Sequence, residues 1–184
     1  MSRSNNRLSL HDHLSALNSG HKGAYILMLS VAGDATATVG RLGAVEFAAG
    51  AYAYVGSALG RAGFGRIRRH IRVFSGSDTK LKWHIDYLSD IATLNLALTI
   101  TTTKRIECDI AQHLQASPSL AAIKHFGASD CGCNSHLFYS PDIHDLAREL
   151  KKVGCGFDGQ VTCWKLSGVY ANGQRNRETR ISKT

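Results

Sequence analysis

Apolar and polar positions divide the first half of the chain into short segments separated by glycines. Residues 24–31 are almost continuously apolar, which predicts a buried strand. Residues 50–57 are rich in Tyr and Val, and residues 93–103 are rich in Thr and Leu, so both segments predict strands. Residues 33–40 and 43–50 predict two short strands closed by glycine turns. The succession of strands up to residue 57 predicts an antiparallel meander.

Helical spacing of apolar residues dominates the remainder of the chain. It predicts four helices, at residues 65–74, 80–91, 105–115 and 141–152. In the first of these, Ile67, Ile71 and Phe74 fall on one face and basic side chains occupy the others. Pro141 suits the first turn of the last helix. Because strands come first and helices mixed with strands follow, the pattern predicts an α+β fold.

The length of 184 residues is typical of one domain with appendages. We assign residues 21–168 to the domain, residues 1–20 to an N-terminal extension and residues 169–184 to a basic tail. The tail is polar and lacks apolar periodicity, so we predict that it is disordered. No apolar run approaches the roughly 20 residues that span a bilayer, and the N-terminus lacks the apolar core of a signal peptide. We therefore expect a cytoplasmic protein without a membrane partner.

Basic residues exceed acidic ones and are concentrated in one part of the chain. The formal net charge is +8, and from Ser57 to Lys82 seven Lys or Arg residues accompany a single acid, Asp78. Such a surface favours polyanions, with nucleic acid as the first expectation and an anionic membrane as the second. The basic tail has an alternative interpretation as a solvated segment with no role.

The chain has five cysteines, an odd number, and no visible export signal, which favours free thiols over a disulfide framework. Cys131, Cys133 and His136 are candidate ligands for a zinc half-site, although their spacing matches no zinc finger. A closed site would need a fourth ligand from Cys108, Cys155 or Cys163. The favoured interpretation is a Gly- and Asp-rich loop that packs beside a functional site, where Asp130 caps or hydrogen-bonds a neighbour.

The segment KWHIDYL, residues 82–88, adds polar residues to the predicted second helix. His84 and Asp86 do not share a helix face at this spacing, so we do not expect a joint metal site. Trp83 and Tyr87 are expected in the core. His84 is a weaker candidate for the basic groove.

Several short motifs, in a fixed order, resemble the GIY-YIG nuclease superfamily. They are Gly23 with Tyr25, Tyr54 with Gly56, Arg66 with His70 four residues later, and Glu107 directly after a predicted strand. The chain is still more similar to the uncharacterised Uri-type branch of archaeal and bacterial GIY-YIG proteins, which shares YVGSA, RHIR, WHIDYL, EC and FGASDCGCNSHLFY. This resemblance covers residues 22–140 and implies a small antiparallel or mixed central sheet flanked by helices.

The chain departs from the superfamily pattern in two places. The two tyrosines are 29 positions apart, which leaves room for an extra pair of strands. The GRAGFG segment lengthens the connection to the arginine helix, so Arg69 competes with Arg66 for the family position. The histidine four residues after Arg66 decides in favour of Arg66.

The resemblance implies a metal-dependent endonuclease that hydrolyses DNA phosphodiesters. Glu107 would bind Mg²⁺ or Mn²⁺, because hard cations prefer oxygen ligands. Arg66 would pair with the scissile phosphate. Tyr25 and Tyr54 would lie near the attacking water, one of them as general base if its pKa is lowered from about 10. His70 would hydrogen-bond a tyrosine or relay a proton.

The same resemblance and the basic composition together predict a nucleic-acid-binding surface, comprising Gly56, Ser57, Arg61, Arg69, Arg72, Lys80 and Lys82. No motif that reads base edges is evident, so we expect structure-specific or weakly sequence-specific cleavage, as in DNA repair. DNA is the expected partner, and RNA stays open. The alternatives are a non-catalytic nucleic-acid-binding module and a domain whose basic tail docks an acidic protein. The site residues also have ordinary structural interpretations, as strand tyrosines or a solvated helix face.

Overall fold

The structure, a computed structural model, describes Leu17 and residues 20–166. Within that part of the chain the strands are β1 (Gly23–Val31), β2 (Ala35–Thr38), β3 (Ala44–Phe47), β4 (Gly50–Ser57), β5 (Ala92–Thr101), β6 (Ala121–Ala122), β7 (Leu137–Ser140) and β8 (Gln160–Lys165). The helices are α1 (Gly65–Phe74), α2 (Glu107–Gln115) and α3 (Ile143–Gly156). The predicted α+β class is confirmed. The predicted N-terminal extension and basic tail lie outside the described residues, except for Leu17 and Gly20.

Six of the strands form one antiparallel sheet in the order β6-β7-β4-β1-β5-β8. The strands β1 and β4 pair along their full length, from Ala24 opposite Ser57 to Val31 opposite Gly50. The strands β2 and β3 form a separate two-stranded sheet, which is the extra pair that the long spacing between the tyrosines allowed. The predicted meander is wrong. The apolar strand β1 needs buried neighbours, which the almost wholly buried β4 supplies and the half-exposed β2 and β3 do not.

Each face of the large sheet covers its own core. On one face the side chains of Tyr25 and Tyr54 pack among the buried apolar residues of α1. On the other face Ile26 and Val55 pack against the buried residues of α2 and α3. Because side chains alternate along a strand, this arrangement places both tyrosines on the face covered by α1.

The predicted helix at residues 80–91 is wrong. Only His84–Leu88 forms a 3₁₀ turn there, preceded by Trp83 in an extended conformation. The carboxylate of Asp86 accepts hydrogen bonds from the backbone N–H groups of Lys82 and Trp83, at 2.8 and 2.9 Å. These bonds bend the chain into a tight turn instead of an α-helix. Trp83 and Tyr87 are partly buried against the core, as expected.

Among the described residues, every helix is too short or too polar to cross a bilayer.

Candidate functional site

A polar cleft of about 330 Å³ opens at the end of β4, between the start of α1 and the start of α2. Six of the predicted site residues line it: Tyr54, Gly56, Ser57, Arg66, Lys82 and Glu107. The loop that contains Gly127 and Cys131 forms another part of its wall, which agrees with the predicted loop beside the site. The fold therefore brings Tyr54 and Glu107, which are 53 positions apart in the sequence, to the same cleft.

Tyr25 and His70 lie next to the cleft but are buried. The Tyr25 hydroxyl is 3.0 Å from His70 Nε2, and His70 Nδ1 is 3.0 Å from Asp86 Oδ1. The ring of Tyr54 approaches both, with centroid separations of 6.5 Å to Tyr25 and 6.3 Å to His70. The expected hydrogen bond between His70 and a tyrosine is present. We call the chain of Tyr25, His70 and Asp86 the buried relay.

The protonation state of Asp86 fixes the tautomer of His70. Burial alone would raise the pKa of Asp86, but hydrogen bonds from His70 and from backbone N–H groups lower it to about 2, so it is ionised at neutral pH. Burial lowers the pKa of His70, which is therefore neutral. Since a carboxylate only accepts hydrogen bonds, Nδ1 of His70 donates to Asp86 and Nε2 accepts from the Tyr25 hydroxyl.

Both tyrosines are phenols at neutral pH. Burial raises the pKa of Tyr25 well above its usual value, and it also raises that of Tyr54. Arg66 acts in the opposite direction on both, as expected, but burial outweighs it. A tyrosine that takes a proton from water must therefore release its own hydroxyl proton to a base. Among the described residues, Tyr25 is the only tyrosine whose hydroxyl donates to a side-chain base, His70.

Gly56 is the residue that makes room for the Tyr25 hydroxyl. A Cβ atom at position 56 would lie 2.4 Å from the hydroxyl oxygen and 2.3 Å from the ring carbon that carries it. The nearest neighbour of this glycine is thus a protein side chain, since Gly56 stands opposite Tyr25 in the sheet. The predicted approach of a nucleic-acid backbone to Gly56 stays a prediction.

Gly56→Ala should displace the Tyr25 ring and separate its hydroxyl from His70. Because the ring is buried, we expect a loss of stability of about 1–3 kcal/mol from overpacking. Urea unfolding of the variant measures it. Gly60→Ala is the matched control, since a Cβ at that position has no neighbour within 4 Å. Equal stability of the two variants would contradict the assigned contact.

Three cations surround the ring of Trp83 beside the cleft. The Arg66 and Arg69 guanidinium carbons lie 4.8 and 4.4 Å from the ring centroid, and the Lys82 amine lies 4.9 Å from it. Arg69 also forms an ion pair of 2.7 Å with Asp86. Arg66 has no carboxylate within ion-pair distance among residues 20–166, so its charge is available to an anion.

Glu107 is the buried acid of the cleft. It begins α2, and its side chain is 10% exposed. Its Oε1 lies 3.6 Å from Arg105 Nε, while its Oε2 is buried and has no hydrogen-bond partner among the described residues. A buried carboxylate oxygen without a partner is costly, and a divalent cation would satisfy it. The oxygen donor therefore fits the hard cation that the sequence predicts.

A second groove of about 290 Å³ adjoins the cleft and shares Arg66, Lys82 and Trp83 with it. Arg61 and Arg69 also line this groove. Arg72 and Lys80, the other predicted binding residues, are exposed and line neither opening. The predicted basic surface is thus continuous at the cleft, and its contact with nucleic acid stays a prediction.

Sequence reasoning missed two residues of the site, Arg41 and Arg105, and gave His84 and Asp86 less weight than the structure does. Arg41, from the turn between β2 and β3, and Arg105 line the cleft, and no sequence signal marked either one. His84 also lines it, and its Nδ1 accepts a 3.0 Å hydrogen bond from the Gly127 N–H. Burial and Arg41 lower the pKa of His84. Nothing in the sequence connects Asp86 with His70, because the hydrogen bond between them depends on the turn that replaces the predicted helix.

The half-site at Cys131, Cys133 and His136 gains a fourth member in the fold. Cys108, in the first turn of α2, brings its sulfur atom to the group, and the four ligand atoms all lie within 4.8 Å of one another. We call these four residues the Cys/His cluster. All five cysteines lie in the described part of the chain and are free, as predicted.

The fold and these side chains define an α+β domain with a polar cleft and a Cys/His cluster that could bind a metal ion. The chain belongs to the family Domain of unknown function DUF123, which matches residues 24–157. That range contains every residue that lines the cleft, together with the buried relay and the Cys/His cluster. No curated protein and no solved structure matches the chain.

Proposed function

We propose that the protein is a metal-dependent endonuclease of the GIY-YIG type that hydrolyses phosphodiester bonds in DNA. The observation that carries this proposal is the unpartnered Oε2 of Glu107 in the same cleft as the unpaired Arg66 and the ring of Tyr54. One carboxylate oxygen of Glu107 has no partner and the Arg66 guanidinium has no carboxylate among the described residues, yet the two side chains line one cleft without pairing with each other. A divalent ion and a phosphate would satisfy both at once.

Glu107 is the residue that would hold Mg²⁺ or Mn²⁺. When bound, the ion supplies charge stabilisation to the phosphate and its leaving oxygen. The planar guanidinium of Arg66 binds a phosphate oxygen and is kept in orientation by its contact with Trp83. Ser57 and the basic side chains of Arg41 and Lys82 add donors and positive charge along the wall of the cleft.

The buried relay removes the proton of the attacking water. The Tyr25 oxygen accepts that proton while its own hydroxyl proton moves to Nε2 of His70. The imidazolium that forms is stabilised by the ionised Asp86, which is hydrogen-bonded to Nδ1. Because burial disfavours a free phenolate, the two proton movements are coupled.

The substrate is a nucleic-acid backbone, which would follow the cleft and the adjoining groove. Arg61, Arg66 and Lys82 line this continuous surface and would contact phosphates, which give affinity without sequence information. We therefore propose structure-specific or weakly sequence-specific cleavage, of the kind that DNA repair uses.

A cleavage assay tests the proposal. Labelled single-stranded, duplex, flapped and branched DNA, together with matched RNA, are incubated with the protein in Mg²⁺, in Mn²⁺ and in chelator. Products that depend on the metal support the endonuclease, and the preferred substrate identifies its class. Salt-sensitive binding without cleavage on any substrate would instead support a non-catalytic nucleic-acid-binding module.

Tyr25→Phe should lower the cleavage rate by about 10²–10⁴-fold, because it removes the hydroxyl that passes a proton to His70. Single-turnover cleavage at saturating DNA measures the effect. Tyr52→Phe is the matched control, since Tyr52 is equally buried and donates its hydroxyl proton to the Ala48 carbonyl, remote from His70. A similar loss in both variants would mean that the effect arises from packing.

A further inference from the structure

The Cys/His cluster lies outside the proposed catalytic chemistry, although it adjoins the same cleft. Cys108 immediately follows Glu107 in the first turn of α2, whereas Cys131 and Cys133 belong to the loop between β6 and β7. His136 directly precedes β7. Two segments that are distant in sequence therefore meet through four side chains, each of which is a ligand type that zinc prefers.

The spacing of the ligand atoms fits one tetrahedral ion. With zinc–sulfur bonds near 2.3 Å, the sulfur atoms of a tetrahedral site lie about 3.8 Å apart. The ligand atoms of the cluster are all within 4.8 Å of one another, and Cys131 Sγ is 3.3 Å from His136 Nε2. Shifts of less than about 1 Å, within the range of small side-chain rotations, would bring all four onto a single ion.

The hydrogen bond of His136 prepares its ring for a metal. Nδ1 lies 3.2 Å from the carbonyl oxygen of Val55, which can only accept, so Nδ1 carries the ring proton. Nε2 then carries the lone pair, which accepts from the Cys131 thiol at 3.3 Å and would be available to a metal once that thiol loses its proton. Metal-binding histidines commonly use their second nitrogen in this way, which fixes the tautomer and the orientation of the ring.

The backbone around the ligands is also fixed. The His136 N–H donates to the Phe126 carbonyl at 2.7 Å, and the His136 carbonyl accepts from the Val55 N–H at 2.8 Å. The Ser135 hydroxyl is within hydrogen-bond distance of the Ile123 and Leu137 carbonyls, at 2.6 and 2.9 Å. The loop is thus held against the sheet on the side where α2 presents Cys108.

We propose that Cys108, Cys131, Cys133 and His136 bind one zinc ion in a closed tetrahedral site. The ion ties the loop before β7 to the start of α2. It has a structural role, since four protein ligands leave no open position for a substrate. The site is chemically distinct from the Glu107 oxygen, which suits a hard cation, whereas three thiolates and an imidazole select a softer one.

Metal analysis of the purified full chain tests the site directly. The protein is prepared under reducing conditions without a metal-affinity tag and analysed by plasma mass spectrometry. We expect one zinc per chain. Replacement of zinc by Co²⁺ should give the intense visible absorption of tetrahedral cobalt with thiolate charge-transfer bands. A wild-type chain that holds no metal after reconstitution with zinc, or that holds another metal in its place, would overturn the proposal.

Matched variants test whether zinc binding depends on the residues of the Cys/His cluster alone. Cys133→Ser should lose zinc and the cobalt spectrum, while Cys155→Ser, an exposed cysteine outside the cluster, should keep both. Glu107→Gln should also keep its zinc. Loss of zinc from Cys155→Ser or Glu107→Gln, or its retention in Cys133→Ser, would overturn the ligand assignment. Zinc content does not depend on cleavage, so this proposal stands or fails independently of the endonuclease.

Discussion

Glu107→Gln should abolish metal-dependent cleavage, with a loss of about 1000-fold or more in rate, and leave DNA binding largely intact. The substitution keeps the size of the side chain but removes the charge that would hold a divalent ion. A bound ion contributes several kcal/mol to stabilising the charge of a phosphoryl transition state, which corresponds to this loss. The basic residues that supply affinity stay in place, because they lie on other segments of the cleft wall.

The measurement is single-turnover cleavage of the preferred DNA across a range of Mg²⁺ concentrations, with binding followed separately by fluorescence anisotropy. Asp109→Asn is the matched control. Asp109 lies in the same first turn of α2 and is exposed, so its loss changes the charge near the helix end without touching the cleft. Equal losses in the two variants would indicate a general electrostatic effect. Undiminished cleavage by Glu107→Gln would show that Glu107 takes no part in catalysis.

Asp86→Asn should destabilise the protein by about 3–5 kcal/mol, because it breaks a buried charged network. The Asp86 side chain is fully buried and accepts hydrogen bonds from Arg69, His70 and two backbone N–H groups. An amide has one acceptor oxygen, so it cannot replace all of these bonds. It would also leave the Arg69 guanidinium without its counter-ion. Asp90→Asn, at an exposed position shortly after, is the control for stability measured by urea unfolding.

The same variant should also lose cleavage beyond what its stability explains. The new amide can donate to Nδ1 of His70, which moves the ring proton to Nε2 and prevents Tyr25 from donating there. Arg69→Gln isolates this effect, since it removes the ion pair with Asp86 but leaves the bond to His70. At saturating DNA, Arg69→Gln should retain most of the wild-type single-turnover cleavage rate. Parallel losses in both variants would show that Asp86 acts through stability alone.

The pairing of β1 with β4 could not be predicted from the apolar pattern of the sequence. The apolar pattern of residues 24–31 and 50–57 predicts two buried strands without saying which strands are neighbours. The meander was the natural expectation from order alone, and it failed because burial on both faces of β1 outweighs adjacency in sequence. The α1 helix, in contrast, is fully specified by local spacing, and its predicted bounds of 65–74 agree with the structure.

The buried relay shows why part of the site could not be predicted from the sequence. The apolar spacing predicts that His84 and Asp86 belong to one helix, a geometry in which their side chains diverge. The side chain of Asp86 itself replaces that helix with a turn, and this turn carries the carboxylate to His70. The Cys/His cluster could not be predicted for a related reason, because Cys108 and Cys131 are 23 positions apart and three cysteines were equal candidates for the fourth ligand. Local patterns specify elements, whereas long-range packing decides which polar groups meet.

The small β2–β3 sheet has a consequence for how such a domain can change over time. It is inserted between the two tyrosine strands, yet the pairing of Ala24 with Ser57 through Val31 with Gly50 is continuous without it. Its turn contributes Arg41 to the cleft wall. The exposed turn of the insertion can therefore change in length without moving the β1–β4 register, whereas Val39 and Phe47 tie the rest of the insertion to the core. In the proposed endonuclease, the positive charge that this turn adds to the cleft and the tyrosines of the large sheet are thus encoded in separate stretches of chain, and each can evolve without the other.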